Sequence, residues 1–252
     1  MRLLLINGNT TQAVTDHCVS DARLHVSDDT ILTGVTARYG ADIVTAEPEN
    51  LIASMAVLER LAEHYKDHDA AILAISFDSG LLAARDLVPI PIIGMTEAAL
   101  LDAAAISDRL GMLVFGTASL PLYRAMLDRY PMRDRVVAIQ VVEVTSVSAY
   151  LDATRLDEAI LAALEEMRRR ASVDAVVICG AVMSGVAERL QPLTSTRLFG
   201  GMKSSVRRAQ ALLQSGAVAH VPRSGLARSA RVMGLSPSLM ALFENRGAQR
   251  SD

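Results

Sequence analysis

An α/β fold of two pseudo-symmetric lobes, each a mostly parallel sheet flanked by helices and with a ligand cleft between them, is predicted by three observations on this 252-residue sequence. First, the chain repeats itself: the segments from Asp69 to Leu81 and from Asp174 to Val186 align without a gap at an offset of 105 residues. Second, short apolar runs bounded by turn residues alternate with amphipathic stretches, the pattern of parallel strands covered by helices on both faces. Third, the opening run from Leu3 to Ile6 has a counterpart from Met112 to Phe115, and each leads into a threonine-bearing turn. In a duplicated α/β chain, equivalent strand ends face one another, and a small-molecule site forms where they meet. The ends at Ile6, Ile75, Phe115 and Cys179 are therefore expected to converge on one cleft.

The apolar runs place strands near residues 2–7, 31–36, 70–75, 90–94, 111–116, 136–142, 174–179 and 196–200. Helices are expected near 10–24, 49–66, 79–87, 96–108, 118–130, 152–171, 184–190 and 202–215. Leu156, Ile160, Ala163, Leu164 and Met167 recur at helical spacing, with Glu158, Glu165, Arg168 and Arg169 on the opposite face, so this helix packs a core. The first lobe is read as residues 1–100 and the second as 101–215, with a C-terminal segment over 216–252 that the first lobe receives in part. Its end, from Asn245 to Asp252, is small or charged and is expected to fray.

Composition narrows the function. Half of the residues are hydrophobic (51 %), enough for a large core, and the net charge of −3 leaves no basic surplus for phosphate backbones or anionic lipid. Tyr and Phe together supply only nine aromatic rings, few for base stacking. Nucleic acid and membrane are thus not expected as partners; the expected partners are a small-molecule substrate and further copies of the chain. Two cysteines, Cys18 and Cys179, form no metal-binding or disulfide spacing, and the sequence opens directly on a strand with no secretory pattern. The reading is a cytoplasmic protein without metal or cofactor.

Four turns carry candidate chemistry. In Ile6-Asn7-Gly8-Asn9-Thr10-Thr11, the amides of a helix start lie beside Asn and Thr side chains, a setting for a carboxylate or amide carbonyl, the competing reading being that Thr10 or Thr11 only caps the helix. The turn Phe115-Gly116-Thr117-Ala118-Ser119 is its counterpart in the second half. At the ends of the central strands lie Ile75-Ser76-Phe77-Asp78-Ser79-Gly80 and Cys179-Gly180-Ala181-Val182-Met183-Ser184-Gly185. Their Ser-Gly pairs, Ser79-Gly80 and Ser184-Gly185, read as helix N-caps. Ser76, Asp78 and Cys179 remain as the reactive side chains. All five histidines, His17, His25, His64, His68 and His220, lie elsewhere in helices or the tail, so no Ser-His or Cys-His pair assembles from local sequence. Cys18, one helical turn from Val14 and from Ala22, reads as core.

These features together resemble the aspartate/glutamate/hydantoin racemase superfamily, in particular its hydantoin and allantoin racemase branch. The resemblance rests on Ile6-Asn7-Gly8-Asn9-Thr10-Thr11, the stretch from Asp69 to Arg85, the stretch from Val88 to Leu100, the turn at Thr117, and the stretch from Asp174 to Leu190. It implies a substrate held between two cysteines, one per lobe, of which one removes a proton and the other returns one on the opposite face. It also implies that Asn9, Thr10, Ile75, Phe77, Ser79, Thr117, Ala118, Gly180 and Ala181 line the substrate. The family's cysteine positions fall on Ile75 and Gly180, which the internal repeat independently pairs. Ser76 and Cys179 each lie one residue away. A serine hydroxyl cannot deprotonate a C–H acid unaided, so the expectation is an enzyme acting on a small carboxylate or hydantoin-like cyclic amide by thiol-independent hydrolysis or lyase chemistry. Racemisation through Cys179 and ligand binding without catalysis are the competing readings.

Overall fold

The structure is a computed structural model that describes residues 1–144, 152–216 and 232–248. In the first half, β1 (Arg2–Asn7), α1 (Gln12–Arg23), β2 (Ile31–Thr36), α2 (Glu47–His64), β3 (Ala70–Leu73), α3 (Leu81–Leu87), β4 (Ile92–Gly94) and α4 (Met95–Ala104) follow in order. The second half repeats the sequence of elements as β5 (Leu110–Phe115), α5 (Leu120–Leu127), β6 (Val136–Val142), α6 (Asp157–Ala171), β7 (Ala175–Ile178), α7 (Val186–Leu190), β8 (Arg197–Gly200) and α8 (Gly201–Gln214). The strands form two parallel sheets of four, ordered β2-β1-β3-β4 and β6-β5-β7-β8, the same order under the repeat. Parallel strands need crossover helices, and those helices shield both faces. This is why β1, β3, β5 and β7 read as almost unbroken apolar runs and are buried nearly throughout.

Every strand and helix expected in the first 215 residues is present, and the ends differ where the turns begin. β3 stops at Leu73 and β7 at Ile178, although the amides of Ala74 and Cys179 still donate to the carbonyls of Ile6 and Leu113 at 2.8 and 2.9 Å. Ile75 and Gly180 therefore sit in the turns beyond the strands. The Ser-Gly pairs do not cap as expected. Gly80 and Gly185 occupy the N-cap positions in the left-handed region (φ 77° and 79°), with no side-chain cap bond. Ser79 instead donates to Asn50 Oδ1 at 2.6 Å, and Ser184 to the carbonyl of Ala181 at 2.9 Å.

The two halves exchange a helix. α4 follows β4 but reaches over to β7 and β8, α8 follows β8 but reaches over to β3 and β4, and the two helices pack most extensively on each other. The helix over residues 201–214, allotted to the second lobe on sequence, thus covers the first sheet. The two helices start at equivalent points, and a Cβ on Gly201 would lie 2.4 Å from Met95 Cγ, so only glycine permits the crossing. Both hydrophobic cores run through both sheets as a result. One joins Leu4, Ile6 and Leu73 to Met112, Val114 and Val177, and the other joins Leu5 and Ile72 to Leu113, Ile178 and Met202.

A helix absent from the sequence reading, α9 (Pro237–Ala248), packs on α2 and α3 and buries Leu239 and Leu242 completely or nearly so. Asn245 to Ala248, expected to fray, form its last turn, and residues 249–252 lie outside the described residues. Truncating Leu239 removes a fully buried side chain from the first core. Leu239→Ala should therefore lower stability by about 2–4 kcal/mol, seen as a lower denaturant midpoint at constant slope. A loss below about 1 kcal/mol would mean that α9 does not dock.

Candidate active site

The β-strand ends of both halves open onto a cavity of about 510 Å³. Its walls come from the turns after β1, β3, β5, β6 and β7 together with residues 42–45 and the start of α2 and α5. Of the residues expected at the site, Asn9, Ile75, Ser76, Phe77, Thr117, Ala118 and Ala181 line it. Of the four strand ends expected to converge, Ile75 and Phe115 reach the cavity, Ile6 lies in the core behind it, and at the fourth the lining begins two residues past Cys179, at Ala181.

The first turn is built by its asparagines. Asn9 Oδ1 accepts the Thr11 amide and the Asn7 side-chain amide, both at 2.9 Å, so Asn9 rather than a threonine satisfies the start of α1. Thr10 and Thr11 donate their hydroxyls to the carbonyls of Ala41 and Asp42, and Thr10 is not in the cavity wall. Because both acceptor bonds fix the amide orientation, Asn9 Nδ2 is left without a partner among the described residues. Its side chain is 7 % exposed and borders the cavity.

At the centre two hydroxyls stand together. Ser76 Oγ accepts the Gly180 amide at 2.7 Å, lies 2.7 Å from the Tyr123 hydroxyl, and is 3.4 Å from Thr96 Oγ1. Thr96 in turn donates to the Ser76 carbonyl at 2.6 Å. Gly180, at φ 109°, reaches the site through this amide and is not itself a wall residue. Tyr123, on α5, stacks at a tilt on Phe77 with ring centroids 4.6 Å apart. It was hidden in the sequence because its ring belongs to the apolar face of α5 with Leu122, Met126 and Leu127. Glu143, just past β6, was also missed; its Oε1 accepts the Thr117 hydroxyl.

The other expected reactive groups face away. Cys179 is 2 % exposed in the first core, where burial and then the charge of Asp78 push its thiol well above the ordinary range. Cys18 is fully buried, and burial raises its thiol to about 12, despite contacts with the Ala181 carbonyl and Ser184 Oγ. Neither thiol forms a thiolate readily there. Asp78 is a structural cap. Its carboxylate accepts the amides of Thr96 (3.1 Å) and Glu97 (2.8 Å) at the start of α4, and the Tyr130 hydroxyl at 2.5 Å. Burial raises it to about 7 against those bonds. Ser79, tied to Asn50, is likewise behind the wall.

The charge of the wall is one-sided. Asp42, Glu49 and Glu143 line the cavity, and no Lys, Arg or His does among the described residues. No group of His, Cys, Asp and Glu suited to holding a metal ion occurs among them either, and no helix of the described residues is long and apolar enough to cross a membrane.

Comparison with known proteins agrees with this architecture. Allantoin racemase from Klebsiella pneumoniae superposes with a TM-score of 0.84 at 25 % identity, covering 95 % of this chain and 98 % of that one. Allantoin racemase from Pseudomonas fluorescens shares the fold, with a TM-score of 0.87 at 24 % identity over 93 % of this chain and all of that one (100 %). Hydantoin racemase from Rhizobium meliloti is 27 % identical over 222 residues, 86 % of this chain and 90 % of that protein. The family model described as Asp/Glu/Hydantoin racemase matches residues 3–209. With two equivalent sheets closing on one cavity and that match across most of its length, the chain belongs to the Asp/Glu/hydantoin racemase family.

Proposed function

We propose that this member of the racemase family binds a hydantoin-like cyclic amide between its lobes and moves a proton through the Ser76–Tyr123 pair without a thiol: Tyr123, its hydroxyl proton given up to solvent, takes the proton of Ser76 as Ser76 takes that of the ring carbon, and the proton returns by the same path. The observation that carries the reading is the cavity wall, which holds both hydroxyls and neither cysteine. The family's thiol positions, as the resemblance sets them, are Ile75 and Gly180. A wall without a cation among the described residues favours an uncharged ring over an acidic amino acid or a malonate. Asn9 Nδ2 donates to a ring carbonyl, with the turn at Thr117 and Ala118 opposite.

Proton transfer then occurs on one face. Ser76 and Tyr123 stand together, whereas Ala181 and Val182, also in the wall, have side chains with no proton to give or take. A site of this kind exchanges the proton of a carbon acid with retention and does not invert it, since inversion needs a donor on each face. The amide of Gly180 steadies the serine oxygen when it carries charge.

NMR of a panel of 5-substituted hydantoins, allantoin, cyclic imides and substituted malonates in D₂O tests this. The expected result is loss of the ring C–H signal above the uncatalysed rate, with retained optical rotation and no sensitivity to iodoacetamide. Ring opening or loss of CO₂ would instead mark hydrolase or lyase chemistry at the same hydroxyls. Racemisation that iodoacetamide abolishes, with substrate protecting Cys179, would overturn the thiol-independent reading. Thermal stabilisation by ligand without any turnover would reduce the protein to a binder.

Asn9→Ala should weaken ligand binding about tenfold or more, the effect of one buried hydrogen bond. Calorimetry showing unchanged affinity would remove Asn9 from the binding contacts.

A further inference from the structure

We infer that the ring substituent of the ligand carries a positive charge: the cavity is built for a hydantoin-like ring bearing an ammonium or guanidinium arm, an inference that rests on the function proposed above. Three carboxylates meet at the cavity, and they come from both lobes. Asp42 lies in the loop after β2, Glu49 in the first turn of α2, and Glu143 just after β6, the strand equivalent to β2. None of the three forms an ion pair among the described residues, in contrast to Glu63 and Glu97, which are paired with arginine.

Each retains an oxygen free of partners among the described residues. Glu49 Oε2 accepts the amides of Thr45 and Ala46 at 2.5 and 3.1 Å, which also quenches the positive end of α2, and its Oε1 takes no hydrogen bond. Glu143 spends Oε1 on Thr117, and Asp42 spends Oδ1 on the amide of Ile43 at 2.9 Å. The second, independent sign of a ligand is Asn9. More than nine-tenths buried, it points an unpartnered amide donor at the same cavity from the closed end, where Ser76 lies.

The wall thus has two polarities. At the inner end an amide donor and two hydroxyls suit a carbonyl and the ring C–H, and at the mouth three carboxylates suit a cation. A cleft lined by one sign of charge concentrates the field within it, so the effect exceeds that of the same groups on an open surface. An anionic arm in the same place meets three like charges.

Calorimetric titration with hydantoins carrying a butyl, an aminobutyl or a carboxypropyl arm at the ring carbon tests this. The aminobutyl compound should bind about tenfold more tightly than the butyl compound, and the carboxypropyl compound more weakly than either. The preference should shrink as salt is raised from about 20 mM to about 0.5 M, over which the screening length falls several-fold. It should also shrink in Asp42→Asn/Glu143→Gln, which leaves Glu49 alone at the cavity, and a preference undiminished in that variant would overturn the inference. If that variant does not fold, the salt titration of the native protein decides. Equal affinities for the three compounds would overturn the inference and leave the proposed function standing, whereas no binding by any of them would overturn both.

Discussion

Ser76→Ala is expected to lower turnover by roughly two to four orders of magnitude, the usual contribution of a positioned proton-transfer group. The serine oxygen stands at the crossing of the two halves, where the amide of Gly180, the hydroxyl of Tyr123 and the hydroxyl of Thr96 meet. Removing it leaves the buried Gly180 amide without an acceptor and Tyr123 without its neighbour. Tyr123→Phe should give a loss of the same order, since it removes the group that takes the serine's proton while the stacked ring on Phe77 remains. Cys18→Ala and Cys179→Ala provide the contrast and should retain most of the native rate, because both thiols lie in the cores with their ionisation suppressed. The comparison is made on kcat, with each variant checked for an intact fold by circular dichroism. A Ser76→Ala protein that turns over normally beside an inactive Cys179→Ala protein would refute the assignment.

Asp78 should dominate the dependence of stability on pH. Its carboxyl is held near 7 in the folded protein, mainly by burial, against an ordinary value of 3.8. A raised value means that the folded state prefers the proton. The stabilisation is complete below about pH 4, declines as pH climbs, and is gone above about 7, a swing of roughly 4 kcal/mol. Asp78→Asn should flatten this slope, since the amide does not titrate. It also places a donor against the Glu97 amide, so it lowers stability at acid pH. Asp78→Ala strips the acceptor from the Thr96 and Glu97 amides and from the Tyr130 hydroxyl, at about 1–3 kcal/mol for each group left unsatisfied. Denaturant melts at pH 5 and pH 8 measure both effects. A native protein equally stable at the two values would place the Asp78 carboxyl in its ordinary range.

The different fates of Asp78 and Asn9 show how far the residues alone could lead. The strands were legible because a parallel sheet covered on both faces demands short apolar runs, and the repeat fixed which strand ends belong together. Asn9, Thr117 and Ser76 followed from that, as residues in the turns at those ends. The direction of a side chain within a turn did not. Asp78 and Ser76 are two residues apart, yet one borders the cavity and the other caps α4, a choice set by amides contributed from nearly twenty residues away. Tyr123 and Glu143 were invisible for a related reason: they belong to the walls through tertiary placement, and the apolar face of α5 looks the same whether its tyrosine meets a serine or a leucine. α9 carries a legible start at Ser236-Pro237, but only Leu239, Leu242 and Phe243 mark its buried side, too few to establish a period.

The exchange of α4 and α8 has a consequence for how the molecule comes apart. Each sheet is roofed by a helix that the other half of the chain supplies, so neither half possesses a complete interior of its own. Severed at residue 105, each fragment would expose an apolar sheet face that water disfavours. The lobes therefore cannot dissociate from one another as separate bodies while each stays folded. Unfolding either sheet strips the cover from a helix that the other half lends it, so the two sheets are expected to melt together in one transition.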